Sequence, residues 1–223
     1  MGRKVGALAI GAGAAWGTLY WLGRTWGSTR EERRGHLPGD EIVEPAKVVT
    51  NHATTLRSTP EEIWPWLLQV GWHRGGWYTY RWVDRLLFPA NRPAADSILP
   101  EFQDLKVGDR IPDGPPESGC FFEVEMLEPH KLMVLHSWTH LPPQVRGARL
   151  DWTWTFHLEQ TGDRETRFLF RVRGNLEPLW MRLLYHLAIV PADFVMGRSM
   201  CLGLKQRVER PSAAAGSRAG RLR

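Results

Sequence analysis

Histidine is the residue type in this sequence best suited to proton transfer, and eight histidines are scattered along its 223 residues. His52, His136 and His157 fall on predicted strands, where two of them could line a cavity and act as donors or proton carriers. His136 shares a strand face with Trp138 and could point inward as a ligand contact or acid–base group. A structural histidine with satisfied partners is the favoured interpretation, and His136 is kept as a candidate. His157 alternates away from Trp154 and is expected to face water.

Two charged residues near the carboxyl end are weaker candidates. Asp193 and Arg198 are five residues apart on a predicted helix and could place charge at one end of a pocket. Ordinary surface or ion-pair roles are the alternative. Cys120 and Cys201 are far apart and lack metal-ligand spacing, so two free thiols in a reducing compartment are favoured over a disulfide.

Motifs of catalysis or cofactor binding are missing from the sequence. It has no G-x-S-x-G, no H-E-x-x-H, no P-loop and no G-x-G-x-x-G after a strand, so we assign no catalytic residue and expect neither cofactor nor metal. The Gly75-Gly76 pair is a weak signal for phosphate binding, because no strand directly precedes it. A loop at a cavity mouth and a structural turn are the other interpretations.

Tryptophan is unusually frequent, with 12 residues in the chain. So many large rings indicate a core or a cavity walled by indoles. Nucleic-acid binding is disfavoured, because Arg167, Arg171 and Arg173 form the whole basic stripe inside the predicted domain. A hydrophobic fraction of 43% and a charged fraction of 24% suit one globular domain with appendages, and much of the net charge of +5 lies at the two ends.

The element that must be covered by the rest of the chain is a long helix near the carboxyl end. Apolar or small residues recur there in alternating steps of four and three, which predicts one continuous helical face. They are Leu183, Leu187, Val190, Phe194, Gly197, Cys201, Leu204 and Val208. Because Pro191 interrupts the pattern, we predict a short helix from Leu179 to about Ile189, a bend, and a longer helix to about Val208.

Strands that precede this helix have an aromatic side that needs a cover. A β-branched strand begins near Val48, a helix begins at Ser58-Thr59-Pro60, and a second short helix and a meander of five or six strands follow. The clearest strand alternates polar residues with Leu150, Trp152, Trp154, Phe156 and Leu158. We expect an antiparallel sheet with its tryptophan–phenylalanine face on the terminal helix and its arginine–threonine face in water.

The stretch from Val5 to Leu22 carries no charge and is near the lower length limit of a membrane span. We favour a single-pass anchor, with a cleaved signal peptide and an amphipathic or buried helix as alternatives. A slight excess of arginines after the stretch places the domain on the cytoplasmic side, and Gly13 with Gly17 could allow self-association through the anchor. The predicted organisation is an anchor over 1–24, a linker over 25–45, a globular domain over 46–209 and a disordered basic tail over 210–223.

This order of elements resembles the α+β helix-grip fold of the START-like superfamily, also called SRPBCC or polyketide cyclase/dehydrase-like. Several phrases are similar to a membrane-anchored actinobacterial-type subgroup, namely LPGDE (37–41), IWPWL (63–67), RGGWYTY (74–80), LKVGD (105–109) and PADFVM (191–196). The resemblance covers about Pro38 to Val208. It implies a deep, mostly apolar cavity between sheet and terminal helix that receives lipids, polyketides, hormones or other hydrophobic molecules.

The favoured function is therefore binding of a hydrophobic small molecule or lipid in this cavity, at the membrane. A metal-free cyclase, aromatase or dehydratase acting on a polyketide-like substrate is the alternative, with His136 as its acid–base candidate. A packed interaction domain whose cavity is closed by its own tryptophans is the third hypothesis. The candidate ligand-binding residues are Trp77, Tyr78, Tyr80, Phe122, His136, Trp138, Trp152, Trp154, Phe170, Phe194 and Arg198.

Overall fold

Six strands form one open sheet that curves around a long carboxyl-terminal helix. The structure, a computed structural model, describes residues 2–87, 89–141, 145 and 147–210. Its strands are β1 (Val48–Leu56), β2 (Arg110–Pro112), β3 (Phe121–Glu128), β4 (Leu132–Ser137), β5 (Arg149–Gly162) and β6 (Glu165–Glu177). Their order is β1-β6-β5-β4-β3-β2, with antiparallel pairing throughout. The predicted helix-grip arrangement is confirmed at this level.

Helices precede, interrupt and follow the sheet. They are α1 (Gly2–Thr25), α2 (Arg30–Arg34), α3 (Pro60–Leu68), α4 (Arg81–Leu87), α5 (Leu179–Leu184), a π-helical segment (Tyr185–Ile189) and α6 (Val190–Val208), with 3₁₀ turns at Asp40–Val43, Pro100–Phe102 and Pro116–Ser118. The predicted start of α3 is confirmed, with Thr59 as its cap and Pro60 in its first turn. The carboxylate of Glu62 accepts a hydrogen bond from the backbone of Thr59 at 3.3 Å.

The concave face of the sheet carries the main hydrophobic core. Trp154 and Phe156 of β5 lie in one buried cluster with Phe170 of β6 and with Met200 and Leu204 of α6. Alternation along each strand sends every second side chain to this face. The prediction that the aromatic side of the sheet meets the terminal helix is confirmed.

The convex face of the sheet is also covered, so the prediction that its arginine–threonine side is wet is wrong. Arg171 is 2% exposed and Thr153 is fully buried. The cover is the segment 26–45, predicted as an irregular linker, whose two short helical stretches lie on β5 and β6. Arg171 donates to the Asp40 carboxylate at 2.6 Å and to the side-chain oxygen of Asn51 at 2.7 Å. A buried charge needs such partners, and here they attach the segment to the sheet.

The terminal helix changes its geometry one turn before the predicted bend at Pro191. In the π-helical segment the backbone N–H of Val190 donates to the carbonyl of Tyr185, a wider turn that rotates the residues before it relative to α6. The face predicted for α6 is confirmed at Val190, Gly197, Cys201 and Leu204, which are buried. Leu183 and Leu187 were predicted on the same face and are 52% and 59% exposed, so that part of the prediction is wrong.

The second half of α1 packs on α6 and β1. Gly23 marks the closest approach, because a Cβ atom at this position would overlap the carbonyl oxygen of Val190. The indole N–H of Trp16 donates to the carbonyl of Leu187 at 2.9 Å. The end of α1 is therefore part of the packed structure.

One helical segment among the described residues, Leu179–Val208, is long and apolar enough to cross a bilayer. Within the protein, 39% of its most apolar stretch is buried. The anchor over 1–24 and the boundaries of the domain over 46–209 stay predictions. Self-association through Gly13 and Gly17 also stays a prediction, since both glycines face open space within the chain. The predicted tail lies, beyond Arg210, outside the described residues.

Candidate functional site in the cavity between sheet and terminal helix

A cavity of about 240 Å³ lies between the concave face of the sheet and the terminal helix. Its wall is mainly apolar, and its residues come from the sheet, the loops and the helix. They are His52, Trp77, Thr79, Asp113, His140, Trp152, Trp154, Phe170, Val172, Tyr185, Ile189, Asp193, Met196, Gly197 and Met200. The volume exceeds the roughly 150 Å³ that admits a benzene-sized molecule. The space therefore suits a small organic ligand.

Strand register determines which side chains reach this space. His52 of β1 lies opposite Phe170 of β6, and Trp154 of β5 lies opposite Val172 of β6, so all four share the concave face. On the opposite wall, Gly197 allows α6 to approach β1, because a Cβ atom there would overlap the His52 ring. The sheet and one glycine on the helix thus position His52 against the cavity.

Several polar atoms of the lining residues have no hydrogen-bond partner among the described residues. They are Nε1 of Trp152, Nε1 of Trp154 and Oδ2 of Asp193, and the buried ring of His52 lies beside them. A buried polar group without a partner costs about 1–3 kcal/mol, and native proteins keep few of them. The cavity therefore offers two indole donors, an imidazole and a carboxyl group to a molecule that it encloses.

A fully bonded polar cluster closes another side of the cavity. The Asp113 carboxylate accepts from Nε1 of Trp77 at 2.7 Å and lies 2.9 Å from Nε2 of His140. The other ring nitrogen of His140 lies 2.7 Å from the hydroxyl of Ser137. Because both imidazole nitrogens have partners, this cluster positions Trp77 and His140 and offers no free base. Ser137 is fully buried and does not line the cavity, so we assign it no nucleophilic role.

Burial shifts the pKa values of two lining groups in opposite directions. It lowers the pKa of His52 to about 4 and raises the pKa of Asp193 to about 7. Burial, with the charge of Asp193 as a second cause, raises the pKa of Tyr185 well above its ordinary value. At neutral pH the imidazole is uncharged and the carboxyl group is close to its midpoint. Burial of these two groups thus keeps the imidazole uncharged and the carboxyl group partly protonated, which limits the charge in the cavity.

Four of the eleven predicted ligand-binding residues line the cavity, namely Trp77, Trp152, Trp154 and Phe170. Phe122 lies behind this wall, where its ring contacts those of Trp77 and Trp154 at centroid distances of 5.8 Å and 4.7 Å. The tryptophan-rich strands thus serve both core and cavity.

His136 and Trp138 lie on the convex face, away from the cavity. His136 is paired with Thr153, whose side chain is on that face, and its ring nitrogens lie 2.9 Å from Glu125 and 2.6 Å from Asp151. Trp138 is 44% exposed. The prediction that His136 points inward is wrong. His136 does share a face with Trp138, but the residues of β4 that face inward are Met133 and Leu135.

Tyr78, Tyr80, Phe194 and Arg198 also lie outside the cavity. Tyr78 turns away from its neighbour Trp77, and its hydroxyl donates to the backbone of Trp66 at 2.6 Å. Arg198 donates to the hydroxyl of Tyr80 at 3.3 Å. Phe194 lies on the side of α6 that approaches α1, where its backbone nitrogen is near Gly23.

The functional residues that sequence reasoning missed are mostly polar. Asp113 and His140 come from turns, whose composition indicates only a change of chain direction. His52 was recognised as a strand histidine, and its place on one strand face with Val48 and Leu56 carried a usable signal. Asp193 was considered at a pocket end and does line the cavity. Among the described residues, no three His, Cys, Asp or Glu side chains could hold a metal ion.

Sheet order, terminal helix and enclosed space together define a helix-grip domain with an internal cavity. No protein-family model matches the chain, and neither does any curated protein. Among solved structures, the chain is similar to protein MLL2253 from Mesorhizobium loti at 18% identity and a TM-score of 0.45, covering 74% of this chain and 99% of that one. It is similar to norcoclaurine synthase from Thalictrum flavum at 14% identity and a TM-score of 0.45, covering 80% and 95%. It is also similar to the Aha1 dimer from Colwellia psychrerythraea at 19% identity and a TM-score of 0.37, covering 71% and 98%.

Likeness at these identities concerns the fold alone, and these TM-scores carry no functional argument. The fold assignment rests on the sheet order and the position of α6 described above. Membership of the superfamily and of its membrane-anchored subgroup stays a resemblance.

Proposed function

We propose that this chain binds a small hydrophobic molecule with one polar group in the cavity between sheet and α6. The observation that carries the proposal is the set of unpartnered polar atoms on an otherwise apolar wall. A ligand oxygen that accepts from the indoles of Trp152 and Trp154 would satisfy both donors, and its apolar part would leave water at about 25 cal/mol per Å². The open volume supports this function over a packed interaction domain.

The proposal includes a tether at the membrane. Large apolar side chains are exposed on α1, on α5 and on the π-helical segment, namely Ile10, Trp16, Leu19, Trp21, Leu179, Trp180, Leu183, Leu184, Leu187 and Ile189. The hydrogen bond from Trp16 to Leu187 connects the two parts of this surface. A surface of this kind is typical of an interaction site, and indoles suit the interface of a bilayer. Ile189 is both exposed and part of the cavity wall, so a ligand dissolved in the bilayer would have a short path inward.

Native mass spectrometry of the full chain, extracted from membranes in mild detergent, tests the binding function. We expect a co-purified small molecule on the wild-type protein. Met196→Trp fills part of the cavity and should reduce the fraction of protein that carries this molecule several-fold. Met126→Trp is the control, because Met126 is a half-buried residue on β3 outside the cavity, and this variant should keep the bound molecule. Equal retention by both folded variants, or a folded wild type that takes up neither a cellular molecule nor an added hydrophobic dye, would exclude the cavity as the binding site.

An enzyme acting in the same cavity is the second candidate, and Asp193 favours it. A buried carboxyl group with a pKa of about 7 is suited to donate and accept a proton near neutral pH. Asp193 thereby replaces His136 as the acid–base candidate for a metal-free cyclase or dehydratase. Once the bound molecule is known, Asp193→Asn should leave its affinity within about twofold if the protein is a binder and abolish turnover if it is an enzyme.

Membrane tethering has its own test. Full-length protein in isolated membranes should resist extraction by alkaline carbonate, and protease added outside sealed cells should leave the domain intact if it lies in the cytoplasm. Release by carbonate would indicate that α1 lies on the membrane or on the domain without crossing the bilayer.

A further inference from the structure

A second concavity lies on the other side of β1 and β6, at the end of α1. This cleft has a volume of about 550 Å³ and is separate from the ligand cavity. Five arginines line it, Arg24, Arg33, Arg34, Arg171 and Arg173, against two carboxylates, Asp40 and Glu44. With His36 neutral, the lining has a formal charge of +3. The remaining polar lining includes Thr25 and Asn51. The cleft concentrates positive charge at one place.

Part of this charge holds the fold together. Arg171 is committed to Asp40 at 2.6 Å, and Arg33 bonds to the backbone and hydroxyl of Ser28. Arg173 donates to the carbonyl of Val43 at 3.2 Å. The negative charge of Asp40 is thus balanced by Arg171 and does not balance the positive charge of the arginines at the rim of the cleft.

Two other arginines are free to bind a ligand. Arg34 is exposed and has no hydrogen bond or ion pair to any residue that the structure describes. Arg24 is exposed, its guanidinium lies 5.8 Å from the centroid of the Tyr20 ring, and it makes one long hydrogen bond, to the carbonyl of Val49 at 3.3 Å. Arg173 lies beside them, with its Nε 3.6 Å from Asp40, and adds positive charge to the cleft. The guanidinium groups of Arg24 and Arg34 thus present unused donors to one cleft, an arrangement suited to the oxygens of a phosphate.

The rim of the cleft identifies the source of that phosphate. Tyr20 and Trp21 of α1 line it, and Trp21 is 60% exposed. Tyr20 stacks on Trp16 at a centroid distance of 5.2 Å, which connects the cleft to the exposed apolar surface of α1 and the π-helical segment. A molecule with an anionic head and apolar chains would satisfy both surfaces at once. We propose that this cleft binds the phosphate headgroup of an anionic phospholipid.

Native mass spectrometry of the full chain in non-ionic detergent tests this site with three probes: a two-chain phosphatidylglycerol, a two-chain phosphatidylcholine and inorganic phosphate. We expect phosphatidylglycerol to saturate the protein at concentrations at least about tenfold below those of the other two. Arg24→Gln and Arg34→Gln should each weaken its binding about tenfold, because each removes a charge-assisted hydrogen bond.

Arg30→Gln is the matched control, since Arg30 is exposed on the same short helix as Arg34 but does not line the cleft. It should change binding less than about twofold while altering the net charge equally. An equal loss in Arg30→Gln and Arg34→Gln would overturn the site in favour of a diffuse charge effect, and no preference for phosphatidylglycerol would overturn the lipid. Inorganic phosphate binding as tightly as the lipid would likewise overturn the lipid source, leaving a site for soluble phosphate. None of these outcomes depends on the ligand of the inner cavity.

Discussion

The indole N–H of Trp16 donates to the carbonyl of Leu187 at 2.9 Å. Leu187 lies in the π-helical segment, just before the helix that contains Pro191. The bond thus joins the amino-terminal helix to the terminal helix across 171 residues of sequence. The end of α1 therefore contacts the π-helical segment whose residue Ile189 lines the cavity, and it is part of the folded domain.

Substitution of Gly23 tests this packing. In Gly23→Ala the new methyl group would overlap the backbone of Val190, so α1 must move off α6. We expect backbone amides of residues 16–25 to exchange hydrogen at least about tenfold faster than in the wild type. Gly17→Ala is the control: its Cβ meets nothing within 4 Å, and alanine favours a helix by up to about 1 kcal/mol. Unchanged exchange in Gly23→Ala would mean that α1 does not pack on α6 in solution.

The ion pair between Arg171 and Asp40 is expected to be essential for stability. Arg171→Met would leave the 4%-exposed carboxylate of Asp40 without its main partner, which costs about 3–5 kcal/mol. The midpoint of urea unfolding should fall accordingly. Arg164→Met is the control, because its pair with Glu62 at 2.8 Å is solvent-exposed and worth at most about 1 kcal/mol. Equal losses in the two variants would contradict the burial of Arg171.

The concave side of this protein could be predicted from the sequence, because its signal is local. Strict alternation through Trp152, Trp154 and Phe156 specifies a strand with one aromatic face, whatever its partners are. The four-and-three spacing from Val190 onward specifies the matching helical face. Together they locate the core and, within it, Trp152, Trp154 and Phe170 of the cavity wall.

The convex side could not be predicted, because its signal is not local. Arg171 alternates with buried residues and is polar, which is the pattern of a solvent-exposed face. Its partners Asn51 and Asp40 lie 120 and 131 residues earlier in the chain. His136 was misplaced for a related reason: alternation shows that it shares a face with Trp138 but does not tell which face is the inner one. The rotation introduced by the π-helical segment likewise has no residue-level signature that would have corrected Leu183 and Leu187.

The buried imidazole of His52 makes a contribution to stability that depends on pH. Its pKa is lowered to about 4 from 6.5, so the unfolded chain binds a proton that the folded chain excludes between these values. The stability contribution of His52 is therefore present above pH 6.5 and is lost as pH falls towards 4, at about 1.4 kcal/mol per pH unit. As pH falls from 6.5 towards 4, the free energy of unfolding of His52→Phe should therefore increase relative to that of the wild type. Urea unfolding at several pH values measures this difference. A pH-independent effect of His52→Phe would exclude a buried neutral imidazole.

Asp193 titrates in the same interval with the opposite sign. Its pKa is raised to about 7 from 3.8, so the folded chain holds a proton that the unfolded chain releases, and stability is lost as pH rises from about 4 to 7. Between pH 4 and 6.5 the two contributions cancel, because folding removes one proton at His52 and adds one at Asp193. In Asp193→Asn only the pH dependence due to His52 should remain. The free energy of unfolding of this variant, relative to the wild type, should therefore increase by about 1.4 kcal/mol per pH unit as pH rises to 7.

The exposed turn residue Asp163 supplies the control for this measurement. Asp163→Asn removes an exposed carboxyl group outside the cavity and is measured alongside Asp193→Asn over the same pH range. The double variant of His52→Phe and Asp193→Asn should again be flat with pH, as the wild type is, because neither cavity group then titrates. The opposite result would be a wild-type free energy of unfolding that rises steeply with pH and keeps the same slope in Asp193→Asn. It would show that Asp193 is ionised in the folded protein. That result would remove it both as a neutral partner for an apolar ligand and as the acid–base group of an enzyme.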